Sequence, residues 1–117
     1  MTQLLKTSKD QMKVWRHHLH QHPETEFSVF DTAALVVQKL TEFGLVVHQG
    51  IGKIGIVGQL TKGTSTQAIG LRADMDALAI QEQNEFSHKS LNDGCMHACG
   101  HDGHTSMLLG AAQELAA

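Results

Sequence analysis

The chain has 117 residues, 41% hydrophobic and 18% charged, with one proline, two cysteines and a formal charge of −3. That is the composition of one globular domain, and it excludes disordered, collagen-like and disulfide-stapled classes. The charges are scattered, so no basic stripe offers itself to nucleic acid or to an anionic membrane surface. The longest apolar run, residues 33–37, is far short of the roughly 20 that span a bilayer. The first residues lack the basic, apolar and small-residue order of a secretory signal, so the sequence reads as cytoplasmic.

A first helix is expected over residues 2–20, where Leu5, Met12, Trp15 and Leu19 share one face, with His22 and Pro23 ending it. A second is expected from Ser28, with Asp31 completing a capping box. It carries Val29, Phe30, Ala33, Val36, Val37, Leu40 and Phe43 to a stop at Gly44. Three β-rich runs follow, at residues 45–47, 54–60 and 68–72, and the last two predict a hairpin. Gly50-Ile51-Gly52-Lys53 and Thr61-Lys62-Gly63-Thr64 separate the runs. Residues 73–100 read as loop, where functional side chains concentrate. A final helix is expected from Asp102 or Gly103, with Met107, Leu108, Ala111, Ala112 and Leu115 as its apolar stripe. It runs to Ala117 without a stop signal, and three strands alone would leave an open edge. The expected architecture is therefore α/β, in the order α-α-β-β-β-loop-α, as the N-terminal portion of one larger catalytic domain cut in its last helix.

Nine histidines are present, and most fall in two groups: His17, His18, His20 and His22, then His97, His101 and His104. The first group reads as decoration of a helix end, where cations complement the dipole. The second lies with cysteine in Met96-His97-Ala98-Cys99-Gly100-His101-Asp102-Gly103-His104. On an extended backbone Cys99 and His101 project to one side and could share a cation, with Gly100 allowing a tight bend. The helix that follows places its positive end near Cys99 and favours the thiolate. A buried free cysteine with solvent histidines is the bland alternative. Cys95 reads as structural, because a zinc finger needs a second ligand pair a dozen or more residues away.

The other candidate is Arg72-Ala73-Asp74-Met75-Asp76, at the carboxyl end of the third expected strand, where α/β sheets place their sites. One carboxylate can ligate a metal or orient a ligand imidazole while Arg72 neutralises surplus charge. Turn chemistry with a surface ion pair is the alternative.

The segment from Leu71 to Leu78 with that from Met96 to Thr105 resembles the M20 metallopeptidase family, amidohydrolase branch, which includes hippurate, N-acyl-amino-acid and auxin-conjugate hydrolases. Arg16, Leu19-His20, His22-Pro23-Glu24 and Leu108-Leu109-Gly110-Ala111-Ala112 also fit that branch. The resemblance implies a mixed α/β catalytic domain, normally interrupted by a lid domain that makes a homodimer contact in the full-length protein. It implies two divalent metals, zinc or manganese, with cobalt or nickel as other occupants. Cys99 and His101 fall on the family's ligands, Asp76 on its orienting aspartate with Asp74 beside it, and His104, Asp102 and Arg72 stand as supporting candidates. The implied reaction is hydrolysis of the amide bond of N-acyl amino acids or small peptides, with a glutamate as base. Ala79 stands where the family usually has proline, and Cys95 where another residue is usual; neither removes a ligand. The family's glutamate pair, further histidine ligands and lid lie beyond Ala117, so the 117-residue chain alone is expected to be inactive. The rival reading is a truncated, non-catalytic relative that folds or self-associates and at most binds metal weakly.

Overall fold

A computed structural model describes the backbone of residues 2–117 and the side chains from Ser8 onward. Five elements occur in the order α1 (Thr2–Gln21), α2 (Phe30–Glu42), β1 (Val46–Ile51), β2 (Gly55–Gln59) and α3 (His101–Ala116). The apolar stripe of α1 is the core face: Trp15 and Leu19 are buried and Met12 is packed beside them. Leu5, expected on the same face, lies outside the residues whose side chains are described. Trp15 clusters with Val36 and Leu40 of α2 and Leu109 of α3, and its ring lies 6.0 Å from that of Phe43. Each such aliphatic side chain contributes about 1.5–3 kcal/mol by leaving water. The most extensive helix contact is α1 on α3, where Met12 packs over Gly110 so closely that a Cβ there would come within 2.8 Å of Met12 Cγ.

The capping box expected at Ser28 and Asp31 does not form: α2 begins at Phe30 and its N-cap Val29 makes no side-chain cap. Glu24 does that work from seven and eight residues upstream. Its carboxylate accepts from the amides of Asp31 (3.0 Å) and Thr32 (2.6 Å) and from Thr32 Oγ1 (2.6 Å). A full carboxylate at the positive helix end outcompetes a serine hydroxyl, because charge-assisted hydrogen bonds are the stronger ones.

The sheet has two strands, not three. β1 pairs antiparallel with β2, so the hairpin joins the first and second runs and not the second and third. Gly50 and Ile51, expected as a connector, belong to β1, and the chain turns through Gly52 and Lys53, both with positive φ. Residues 68–72 carry strand-like residues but form no ladder, with Ile69 90% and Leu71 58% exposed. A strand is held by its hydrogen-bonded neighbour, and these residues have none among the described residues. The long segment 73–100 is instead fixed at separate points. Ala77 bridges Thr25, and Leu78 and Met96 exchange two backbone bonds of 2.9 Å. No helix among the described residues is long and apolar enough to cross a membrane.

Candidate metal centre

The Arg72–Asp76 segment lies against the start of α3, where Thr105 Oγ1 donates to the Asp74 carbonyl at 2.9 Å and the His101 ring meets Asp76. Gly100 precedes that helix in the left-handed region (φ 85°), a conformation glycine adopts without strain, and the helix begins at His101. The result is one compact group: ligand atoms of Asp74, Asp76 and His101 all lie within 4.8 Å of one another.

The His101 ring is locked from one side. Its Nδ1 lies 3.0 Å from Asp76 Oδ1 and 2.9 Å from the Asp76 carbonyl, so Nδ1–H is the donor and the tautomer is set. In the neutral ring Nε2 then carries the lone pair, and it faces Asp74 Oδ2 at 3.5 Å. A lone pair confronting a carboxylate oxygen is an arrangement that a cation stabilises. Imidazole nitrogen and carboxylate oxygen are also a donor set suited to zinc and its neighbours. Arg72, 84% exposed, pairs with the other oxygen of Asp74.

A second aspartate–histidine pair lies behind the first. His20 Nδ1 is 2.8 Å from Asp102 Oδ2, and its Nε2 is 3.0 and 3.1 Å from the two oxygens of Glu82. All three side chains are 3% exposed or less, and Arg16 Nε approaches Asp102 at 3.4 Å. Burial works to raise the Glu82 pKa, but hydrogen bonds from the Ser90 amide, His20 and Asn84 outweigh it and hold the carboxyl below its ordinary value. His97 sits with these groups, buried, and neither ring nitrogen has a partner among the described residues. Burial pushes its pKa down, helped by His20 and His101 and opposed by Asp102 and Asp76.

The residues singled out from sequence are therefore divided. Asp74, Asp76 and His101 come together. Cys99 is exposed, and its thiol is not in that group. His104, one helical turn after His101, is exposed with its ring 5.5 Å from the His101 ring. Asp102 is buried and engaged by His20 and Arg16. Cys95 is buried, with its thiol pKa pushed up by burial and by Glu24. Sequence reasoning missed Glu82, and it noted His97 in the cysteine–histidine cluster and His20 in the family pattern without giving either a structural role. His20 was grouped with surface histidines of the α1 end, yet its position one turn after Arg16 and next to buried Leu19 placed it beside the core face.

Comparison with known proteins shows what the chain is similar to. Residues 70–117 match Peptidase family M20/M25/M40. The chain is 56% identical over 101 residues to the hippurate hydrolase of Campylobacter jejuni, covering 86% of this chain and 26% of that protein. It is 46% identical over 105 residues to an N-acyl-L-amino acid amidohydrolase of Geobacillus stearothermophilus, covering 90% and 28%. The fold superposes on the crystal structure of the Bacillus subtilis YXEP protein, a dinuclear metal-binding M20 peptidase. The TM-score is 0.90 at 35% identity, over 95% of this chain and 31% of that one. The chain spans about a quarter of the length of the curated relatives it matches.

Proposed function

The chain belongs to the M20 peptidase family, and from that premise we propose that it contributes the N-terminal portion of one catalytic domain to a metal-dependent amidohydrolase. The observation that carries this reading is the His101 ring, held at Nδ1 by Asp76 with Nε2 turned to Asp74. Asp76 fixes the tautomer and raises the basicity of the free nitrogen. His101 supplies that nitrogen as a ligand, and the Cys99 thiolate from the residue before Gly100 is the second. Asp74 balances the charge of an incoming cation, and Arg72 balances Asp74 when none is bound. A bound divalent cation, zinc or manganese in this reading and cobalt or nickel as substitutes, supplies Lewis acidity toward an amide carbonyl and acidifies water. The substrates are N-acyl amino acids or small peptides, and the setting is a cytoplasmic homodimer. The 117-residue chain by itself offers one such group among its described residues, and we expect it to release no amino acid unaided.

The test is release of free amino acid from an N-acyl amino acid by the native polypeptide. Chelation should abolish release, zinc or manganese should restore it, and His101→Ala should be inactive with or without added metal. Undiminished release in chelator would sink the proposal.

A further inference from the structure

Resting on that metal-centre reading, we propose that His20 is a positioning residue: held between Asp102 and Glu82, it fixes the first turn of α3 and thereby the aim of His101. Three observations carry this. The first is the bare start of α3: its N-cap, Gly100, makes no side-chain cap, whereas α2 has Glu24. The turn that presents His101 is therefore held by Asp102, whose Oδ1 accepts from the Gly103 amide at 2.9 Å and whose carbonyl accepts from Ser106 Oγ at 2.8 Å. The second is that Asp102 Oδ2, the remaining carboxylate oxygen, is taken by His20 at 2.8 Å in a buried setting. A side chain 1% exposed and hydrogen-bonded at both oxygens has one rotamer available, and the backbone that carries it is fixed with it.

The third is the other end of the bridge. Glu82 accepts from His20 Nε2, from the Ser90 amide at 2.7 Å and from Asn84 Nδ2 at 3.1 Å. With a carboxylate at each ring nitrogen, His20 ties α1, the 82–90 loop and α3 at one point. No other side chain of similar volume places a ring nitrogen at each of two opposite positions: glutamine has its polar atoms at one end only, and leucine has none. His20 touches none of Asp74, Asp76 or His101 through a hydrogen bond among the described residues, so its action passes through Asp102.

The experiment compares the unmutated chain, His20→Gln and Val36→Ala, the last removing core volume beside Trp15 and Leu109 without touching His20, Asp102 or Glu82. Ring-nitrogen shifts of His101 are read by proton–nitrogen NMR in the metal-free chain, and cobalt(II) affinity is measured by titration. The unmutated chain should show His101 protonated at Nδ1. In His20→Gln those shifts should move toward a mixture of tautomers and cobalt affinity should fall about tenfold, the usual cost of losing a residue that orients a metal ligand. Val36→Ala should lose thermal stability while His101 shifts stay in place. If His20→Gln leaves the His101 shifts and the cobalt affinity unmoved, the positioning role is overturned and the metal centre stands. If the unmutated chain shows His101 unprotonated at Nδ1, the metal-centre reading falls and takes this inference with it. Should His20→Gln fail to fold, Asp102→Asn, which keeps volume and acceptor but weakens the hold, must move the same signals in the same direction. Unmoved signals there overturn the proposal.

Discussion

The Asp102–His20 and Asp76–His101 pairs have the same chemistry and nearly the same length, 2.8 and 3.0 Å. They differ in burial and in what is left over. In the first, the side chains are 1% and 3% exposed and both imidazole nitrogens are taken. In the second they are 42% and 14% exposed, and one nitrogen faces a further carboxylate oxygen across 3.5 Å. A buried pair must satisfy every polar atom internally, since each unpaired one costs a large desolvation penalty, so its hydrogen bonds are committed to joining elements. A half-open pair can leave one nitrogen for a ligand because water covers it meanwhile. Burial, more than residue type, thus divides holding from binding.

The largest expected effect breaks the buried pair. His20→Leu leaves the Asp102 and Glu82 carboxylates buried without their partner, and the loss should be about 3–5 kcal/mol by urea denaturation. Against a total of about 5–15 kcal/mol for an ordinary domain, that is a large share. His101→Leu should cost about 1 kcal/mol or less, because Asp74 and Asp76 are partly exposed and water can replace the ring. Equal losses from the two leucine substitutions would erase the contrast between the pairs.

The two pairs also differ in how far sequence alone reveals them. Asp76 and His101 are 25 residues apart and lie in two short motifs dense in ligand-type side chains, so each drew notice locally. His20 and Asp102 are 82 residues apart, and neither spacing nor composition links them; only the packing of α1 on α3 does. The helices themselves were legible, because burial of Trp15, Leu19, Val36 and Leu40 imposes the 3.6-residue period on the chain. The core face of α3 was not: Thr105, Ser106, Leu109 and Gly110 are buried there, while Met107 and Leu115 of the expected stripe are exposed. The third strand was misread for a related reason. Residues 68–72 have strand composition, but a ladder depends on a neighbour that local sequence does not specify. Glu24 shows the same limit at smaller scale, since its reach to Thr32 crosses eight residues and defeats the local box signal.

Glu24 allows a finer test, because its two ends serve different regions. The carboxylate caps α2, while its carbonyl accepts from Ala77 at 2.7 Å, next to Asp76. Glu24→Ala removes the cap and keeps the carbonyl. The expected loss is about 0.5–2 kcal/mol, seen as earlier thermal unfolding, with the His101 ring-nitrogen shifts unchanged. A shift in those signals would mean that α2 and the candidate metal centre are coupled more tightly than separate contacts at one residue require.

The smallest effect concerns His97, buried beside both pairs and bonded to neither. Burial lowers its pKa in the folded chain, with His20 and His101 adding to the shift and Asp102 and Asp76 opposing it. The unfolded chain therefore takes up this proton first as pH falls below about 6.5, the ordinary histidine value. Stability from this source is complete above that pH and declines below it. Glu82, also held low, contributes stability that is complete above about pH 4.3 and is lost beneath it. His97→Leu removes its share of the upper limb and leaves the carboxylate limb. Because the imidazole has no hydrogen-bond partner among the described residues, stability at pH 8 should change little. The decline below pH 6.5 should instead become shallower, what remains coming from His17 and His18, whose pKa values burial and neighbouring positive groups also lower. If the substitution leaves the decline below pH 6.5 as steep as before, the protons responsible belong to another histidine. If it costs stability at pH 8 as heavily as His20→Leu does, His97 holds the two pairs together, and the division between them is not one of burial alone.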